Sequence, residues 1–228
     1  MAEQSTPPPD DAGHNRARPQ RPGQAEGRAG RRARQSREQT REQILAAAHR
    51  LFYWEGIRST GIDRVAAEAG VAPVTLYRSF ATKDELVGAY VDLNAAGYRQ
   101  WLTDATQPEA GSARERILAM FDALAQQVQP ENCRGCPFLM TLAEFPDPSH
   151  PARRRAIEIK DWVRAHIRSL AHDLAKEQPI DDPDALADQL VLVFEGVYAS
   201  VQALGVEGPT SRARSAAESL MTAATRAG

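Results

Sequence analysis

Between Ala2 and Gln43 the sequence contains no Ile, Leu, Val, Met, Phe, Trp, Tyr or Cys, while it holds five prolines and four glycines. Such a segment cannot bury enough apolar surface to offset its ordering entropy. Residues 1–38 are therefore expected to be a disordered arm, with structure beginning at about Ser36 to Thr40. Long apolar runs are also missing. Leu190 to Phe194 is among the longest, at five residues, far short of the ~20 that span a bilayer. The N-terminus lacks the apolar core of a secretory signal, so a cytoplasmic protein with no membrane partner is expected. Two cysteines in 228 residues exclude a disulfide scaffold. No Gly-rich phosphate loop and no nucleophile elbow is found, and neither an enzyme nor a cofactor is expected.

Charge is unevenly spread. Residues 1–38 hold eight arginines against five acids, net +3. Residues 39–86 balance at six and six, and residues 87–228 hold fourteen bases against nineteen acids, net −5. A basic head on an acidic body suggests a polyanion partner for one end only. The arginines at 16, 18, 21, 28, 31, 32, 34 and 37 read equally as a minor-groove arm or as a solvated tail.

Beyond the head the periodicity is helical throughout, and no alternating strand pattern with turn signals is present. Ile44, Ala48, Leu51 and Phe52 share one face, and Gly56 can end that helix in the left-handed conformation. Ile62, Val65, Ala66 and Ala69 repeat the pattern, followed by Gly70. Pro73 suits the first position of a short third helix. Thr82 to Glu85 reads as a capping box opening a helix that reaches Trp101, and Ser112 to Glu115 as a second one. Further helices are expected after Pro137, from Pro151, from Pro183 to about Leu204, and over about 211–226. The fold class is all-α.

Residues 61–80, GIDRVAAEAGVAPVTLYRSF, form a helix-turn-helix pattern. Ala66 must be small where the second helix crosses it, Gly70 supplies the turn, and Val65, Val71 and Leu76 make a minimal core. Pro73, Val74, Thr75 and Arg78 would then face base edges, with Tyr77 reaching the phosphate backbone.

The run Ile44…Leu51-Phe52…Gly56, Ile62, Val65-Ala66, Ala69-Gly70-Val71, Thr75-Leu76-Tyr77, Phe80, Lys83 and Leu86 resembles the DNA-binding domain of the TetR family of repressors. The resemblance implies that Thr75 and Arg78 read bases while Thr60, Tyr77 and Lys83 hold phosphates. It also implies a two-fold, four-helix dimer interface made by the last two helices. The sequence departs from the family pattern at Ala72, where Ser is frequent, and at Gly61, where Thr is frequent. Both are N-cap positions, and loss of the cap costs about 1 kcal/mol for Ala and less for Gly.

The expected organisation is an Arg-rich arm (1–38), a helix-turn-helix domain (39–86) and a ligand-binding and dimerisation domain (87–228). Leu186, Leu190, Val193, Val197 and Val201 run down one side of the penultimate helix and Val191, Phe194, Tyr198 and Ala199 cover others. A helix apolar on several faces must be buried on several faces, which points to a homodimer on a palindromic double-stranded operator. Large apolar groups exceed one core's ordinary need: Trp101, Met120, Phe121, Phe138, Met140, Trp162, Phe194 and Tyr198. With Glu144, His166 and Gln126 as polar groups they suggest a pocket for a small apolar or aromatic effector that releases DNA. The other reading of His166 is a satisfied core histidine.

Cys133-Arg134-Gly135-Cys136 supports an alternative, a thiol-based redox-responsive regulator or a helical thiol oxidoreductase. Cys136 before Pro137 would cap a helix with Arg134 near, and both features lower a thiol pKa. No βαβ pattern surrounds the motif, as a thioredoxin-like site requires. His166 and His172 are six apart and far from the cysteines, so no zinc site is expected.

Overall fold

The structure is a computed structural model that describes residues 22–225, with side chains from residue 34. The chain divides after Thr40 into an N-terminal unit and a body, Arg41–Gly228. Nine α-helices are present among the described residues. They are α1 (Pro22–Glu55), α2 (Ile62–Glu68), α3 (Pro73–Ser79), α4 (Lys83–Ala105), α5 (Ala113–Gln127), α6 (Pro137–Glu144), α7 (Pro151–Glu177), α8 (Pro183–Leu204) and α9 (Ala213–Ala223). The described residues contain no strand beyond one isolated antiparallel bridge, Ile180 to Thr225, so the fold is all-α.

One boundary differs from expectation. α1 begins at Pro22, well before Ser36. Ala, Arg, Gln and Glu dominate 31–43 and are strong helix formers, which extends the helix before Ser36; Pro22 suits its first position. The disorder expected of residues 1–21, and the arginines at 16, 18 and 21, lie outside the described residues. The side chains of Arg28, Arg31 and Arg32 do so as well.

Helix starts follow their capping chemistry. Ser112 and Glu115 form a complete capping box at α5. At α4 the box is displaced. The Thr82 hydroxyl accepts from the Glu85 N–H, but the Glu85 carboxylate accepts from the N–H of Ala81 rather than that of Thr82. The Asp182 carboxylate accepts from the N–H groups of Asp184 and Ala185, with Pro183 at the first helical position of α8. Gly61 and Ala72 cap α2 and α3 with no side-chain bond.

In the body, α7 and α8 pack along each other. Ile159, Val163, Ile167 and Leu170 face Leu186, Leu190, Phe194 and Val197, all buried. Ion pairs stitch the seam outside this core: Arg164 to Asp188 (2.7 Å), Arg168 to Asp184 (2.7 Å) and Lys160 to Glu195 (2.6 Å). The apolar stripe of α8 is thus largely used within one chain. Leu192 and Leu204 are exceptions on α8, 72% and 62% exposed. α4 runs through residues 86–87 without a break and carries buried side chains from Leu86 to Leu102.

Candidate nucleic-acid interface and ligand cavity

α2 and α3 are each seven residues long and joined by a fixed turn. The Val71 N–H donates to Ala66 O (3.0 Å) and the Gly70 N–H to Ala67 O (3.1 Å). Those two bonds, with Gly70 at φ +66°, make a Schellman ending in which glycine avoids the strain of a Cβ. Val65, Ala66, Leu76 and Phe80 are buried, and this orients α3. From α1, the Arg41 guanidinium stacks 3.9 Å over the Phe80 ring and donates to the Ser79 carbonyl. The C-terminal end of α3 is thereby held to α1.

The outer face of α3 carries Pro73, Val74, Tyr77 and Arg78, with Thr75 half-buried beside them. Val74 is 57% and Tyr77 51% exposed, large apolar areas to leave in water. Arg78 makes no hydrogen bond or ion pair among the described residues. Thr60 is different. It is 2% exposed, and its hydroxyl donates to Gly56 O at 2.7 Å, so that proton serves the α1–α2 turn rather than a phosphate. The Lys83 ammonium reaches Arg58 O at 3.4 Å. Burial lowers its pKa, with Glu144 opposing.

Glu144 lies at this junction. Its carboxylate accepts from the backbone N–H of Ile57 (2.9 Å) and of Arg58 (2.6 Å). The Arg58 guanidinium in turn donates to Glu144 O (3.4 Å). The expectation that Glu144 points into a pocket is corrected: two unpaired N–H groups after Gly56 claim it. The last residue of α6 is thus bonded to the segment leading into α2.

A cavity of about 530 Å³ opens between α1, α4, α8 and the loop from α5 to α6. His49, Tyr53 and Trp54 of α1, with Leu93, Asn94, Gly97 and Tyr98 of α4, form part of its wall. Gln127, Glu131, Asn132, Cys133, Gly135, Pro137 and Tyr198 complete it. Of the residues expected to line a pocket, Tyr198 is in this wall. Phe121, Phe138 and Phe194 are fully buried and satisfy one another's surfaces with Trp101 and Tyr98: Tyr98–Phe138 5.4 Å edge-on, Trp101–Phe194 6.4 Å, Phe121–Phe194 6.1 Å. Trp162 stacks on His166 at 5.1 Å, away from the cavity. His166 is a satisfied histidine. The Thr106 hydroxyl donates to Leu102 O, so it accepts from His166 Nε2 at 2.8 Å, and burial lowers the His166 pKa. Met140 is half-buried on α6 and Met120 fully buried on α5, while Gln126 is exposed and its neighbour Gln127 faces the cavity.

The walls missed from the sequence had one legible signal. Leu51-Phe52-Tyr53-Trp54 are apolar or aromatic all around α1, so Tyr53 and Trp54 had to face something other than the helix-turn-helix core. The Tyr53 hydroxyl accepts from the N–H groups of Arg134 (2.8 Å) and Gly135 (3.2 Å) and donates to Gly135 O (2.9 Å). Its pKa is pushed up to about 12, first by burial and then by the Cys133 thiol.

Both cysteines are free. The lowered thiol pKa expected of Cys136 is overturned. The residue is 2% exposed, and burial pushes its thiol up although the Lys160 ammonium opposes this. The Arg134 guanidinium donates to Tyr53 O at 2.9 Å, and the opposing charge is that of Lys160.

A short, exposed recognition helix fixed against a three-helix core, on a helical body, defines a helix-turn-helix DNA-binding regulator. Residues 44–90 match the model of bacterial regulatory proteins of the tetR family. Residues 113–217 match that of the tetracyclin repressor-like C-terminal domain. The solved structure of SCO4454, a TetR-family transcriptional regulator from Streptomyces coelicolor, is similar with a TM-score of 0.76 and 30% identity, over 83% of this chain and 97% of that one. The HTH-type transcriptional regulator YjdC of Escherichia coli is 27% identical over 68% of this chain and 80% of its own length. The HTH-type transcriptional repressor NemR of the same organism is 31% identical over 50% of this chain and 58% of its own. The chain belongs to the TetR family of transcriptional regulators and is a non-enzymatic DNA-binding protein. Among the described residues no helix is long and apolar enough to cross a membrane.

Proposed function

We propose that this protein is a cytoplasmic repressor that binds a palindromic operator as a homodimer and releases it when a small molecule fills the cavity. The carrying observation is the bond between Glu144 and the backbone of Ile57 and Arg58. The cavity wall from Cys133 to Pro137 leads directly into α6, and α6 ends on that bond. A ligand that displaces this wall therefore has a covalent and hydrogen-bonded route to α2 and α3. It shifts DNA binding only by its differential affinity for the two states.

In this reading residues 39–86 read DNA, 87–228 sense and dimerise, and residues 1–38 add basic charge. Thr75 and Arg78, flanked by Pro73 and Val74, face bases; Tyr77 and Lys83 contact phosphates. The exposed Leu192 supports a partner on α8. Repression is favoured by the similarity to NemR, whose name describes a repressor. The test is a gel shift on DNA upstream of the protein's own gene, with tryptophan fluorescence reporting compounds that enter beside Trp54. Retarded DNA should be freed as the compound binds. Compounds that quench Trp54 yet leave operator affinity unchanged would defeat the sensing half and spare the DNA-binding half.

A further inference from the structure

We propose that the cavity takes an organic cation with a flat aromatic body, seated against the Tyr53, Trp54, Tyr98 and Tyr198 rings and paired with Glu131. The inference rests on the reading above that this cavity is the effector site, and names the ligand's chemistry.

Several hydrogen-bonding groups of the wall are committed to one another. The Tyr198 hydroxyl lies 3.1 Å from the Tyr98 hydroxyl and 3.0 Å from Gln127 Oε1. The Tyr53 hydroxyl is held by the backbone at 134 and 135, and His49 Nε2 by Asn94 Oδ1 at 3.1 Å. The ring surface open to a guest is chiefly that of Trp54, 47% exposed, and of the half-buried Tyr53, with the buried Tyr98 and Tyr198 behind them. Among the described residues, Glu131 is the one Asp, Glu, Lys or Arg in the wall. Its carboxylate has no hydrogen bond or ion pair among the described residues. The Arg134 guanidinium donates to Tyr53 O and makes no ion pair with Glu131. Aromatic faces carry negative potential and attract cations, and an unpaired carboxylate adds to that field. An anion would meet no Lys or Arg among the described residues of this wall.

The test uses the full chain and three flat three-ring probes: N-methylacridinium (cation), 9-methylanthracene (its neutral isostere) and anthracene-9-carboxylate (anion). Titration by probe fluorescence should give the cation at least about tenfold tighter binding than the neutral compound, with the anion weakest. Glu131→Gln should remove most of that preference and change the Kd of the neutral probe by less than about twofold. Trp54→Ala, at an exposed position, should weaken all three. Equal affinities, a tighter anion, an unchanged preference in Glu131→Gln, an unchanged Kd in Trp54→Ala, or no binding by any probe would each overturn the proposal. Operator release is read separately. A cation that binds as expected but leaves the operator occupied would sink the effector reading while the site's chemistry stands. Release by compounds regardless of charge would do the reverse.

Discussion

The carboxylate of Glu144, at the end of α6, lies 2.6 Å from the backbone nitrogen of Arg58 and 2.9 Å from that of Ile57. Removing it would leave the part-buried Ile57 N–H without its acceptor, at a cost of about 1–3 kcal/mol, while water can replace it at the exposed Arg58 N–H. Glu144→Ala should lower stability by that order, measured by urea unfolding. It should also separate the two functions, with cavity compounds binding normally but freeing less operator. Glu144→Gln keeps one acceptor oxygen and should fall between.

Arg78 is exposed on the outer face of α3, with Thr75 half-buried beside it. Arg78→Ala and Thr75→Ala should each relax sequence preference, by about 1–3 kcal/mol if the contacts are bidentate or well packed. Tyr77→Phe should instead weaken all sequences alike. Competition binding against a randomised operator library distinguishes the two patterns.

The Tyr90 hydroxyl is buried and makes no hydrogen bond among the described residues, while its ring packs edge-on against Phe52 at 5.5 Å. An unsatisfied buried hydroxyl destabilises the fold by about 1–3 kcal/mol. Tyr90→Phe should therefore hold or raise the Tm. A clear fall would show that the hydroxyl has a partner in solution.

Burial lowers the His166 pKa below its ordinary 6.5, and the Arg116 guanidinium adds to this. The unfolded chain takes up a proton near pH 6.5 that the folded chain resists, so stability falls as the pH drops below that value. His166→Gln should flatten this limb in denaturant midpoints recorded between about pH 5 and 7.

Cys136 is buried with a raised thiol pKa, whereas Cys133 is half-buried at the cavity wall. Iodoacetamide should alkylate Cys133 well before Cys136, as read by peptide mass spectrometry. Faster labelling of Cys136 would mean that the loop from α5 to α6 opens in solution.

The helix-turn-helix was legible because its constraints are local. Ala66, Gly70 and Leu76 sit at fixed spacings, and Gly70 holds the left-handed angle expected of it. Most helix starts were legible for the same reason, through Ser112, Asp182 and the prolines. The cavity was not. An apolar stripe shows that Phe121, Phe138 and Phe194 are inside but not whether they meet each other or a void, and here they meet each other. Glu144 was hidden because its partners are backbone groups 86 and 87 positions away, which leave no mark on the residue type at either end. The early start of α1 was missed because the absence of large apolar residues was weighed above helix propensity.

The two seven-residue helices of the reading head have a thermal consequence. Isolated helices shorter than ~12–15 residues are marginal in water, so α2 and α3 owe their shape to the docking of Leu76 and Phe80 and to the grip of Arg41. α2 and α3 are then open to local melting, and their amides should exchange with solvent faster than those of α7 and α8. Warming would blunt operator recognition before the body unfolds, so the upper temperature limit of regulation is set by the docking of one short helix.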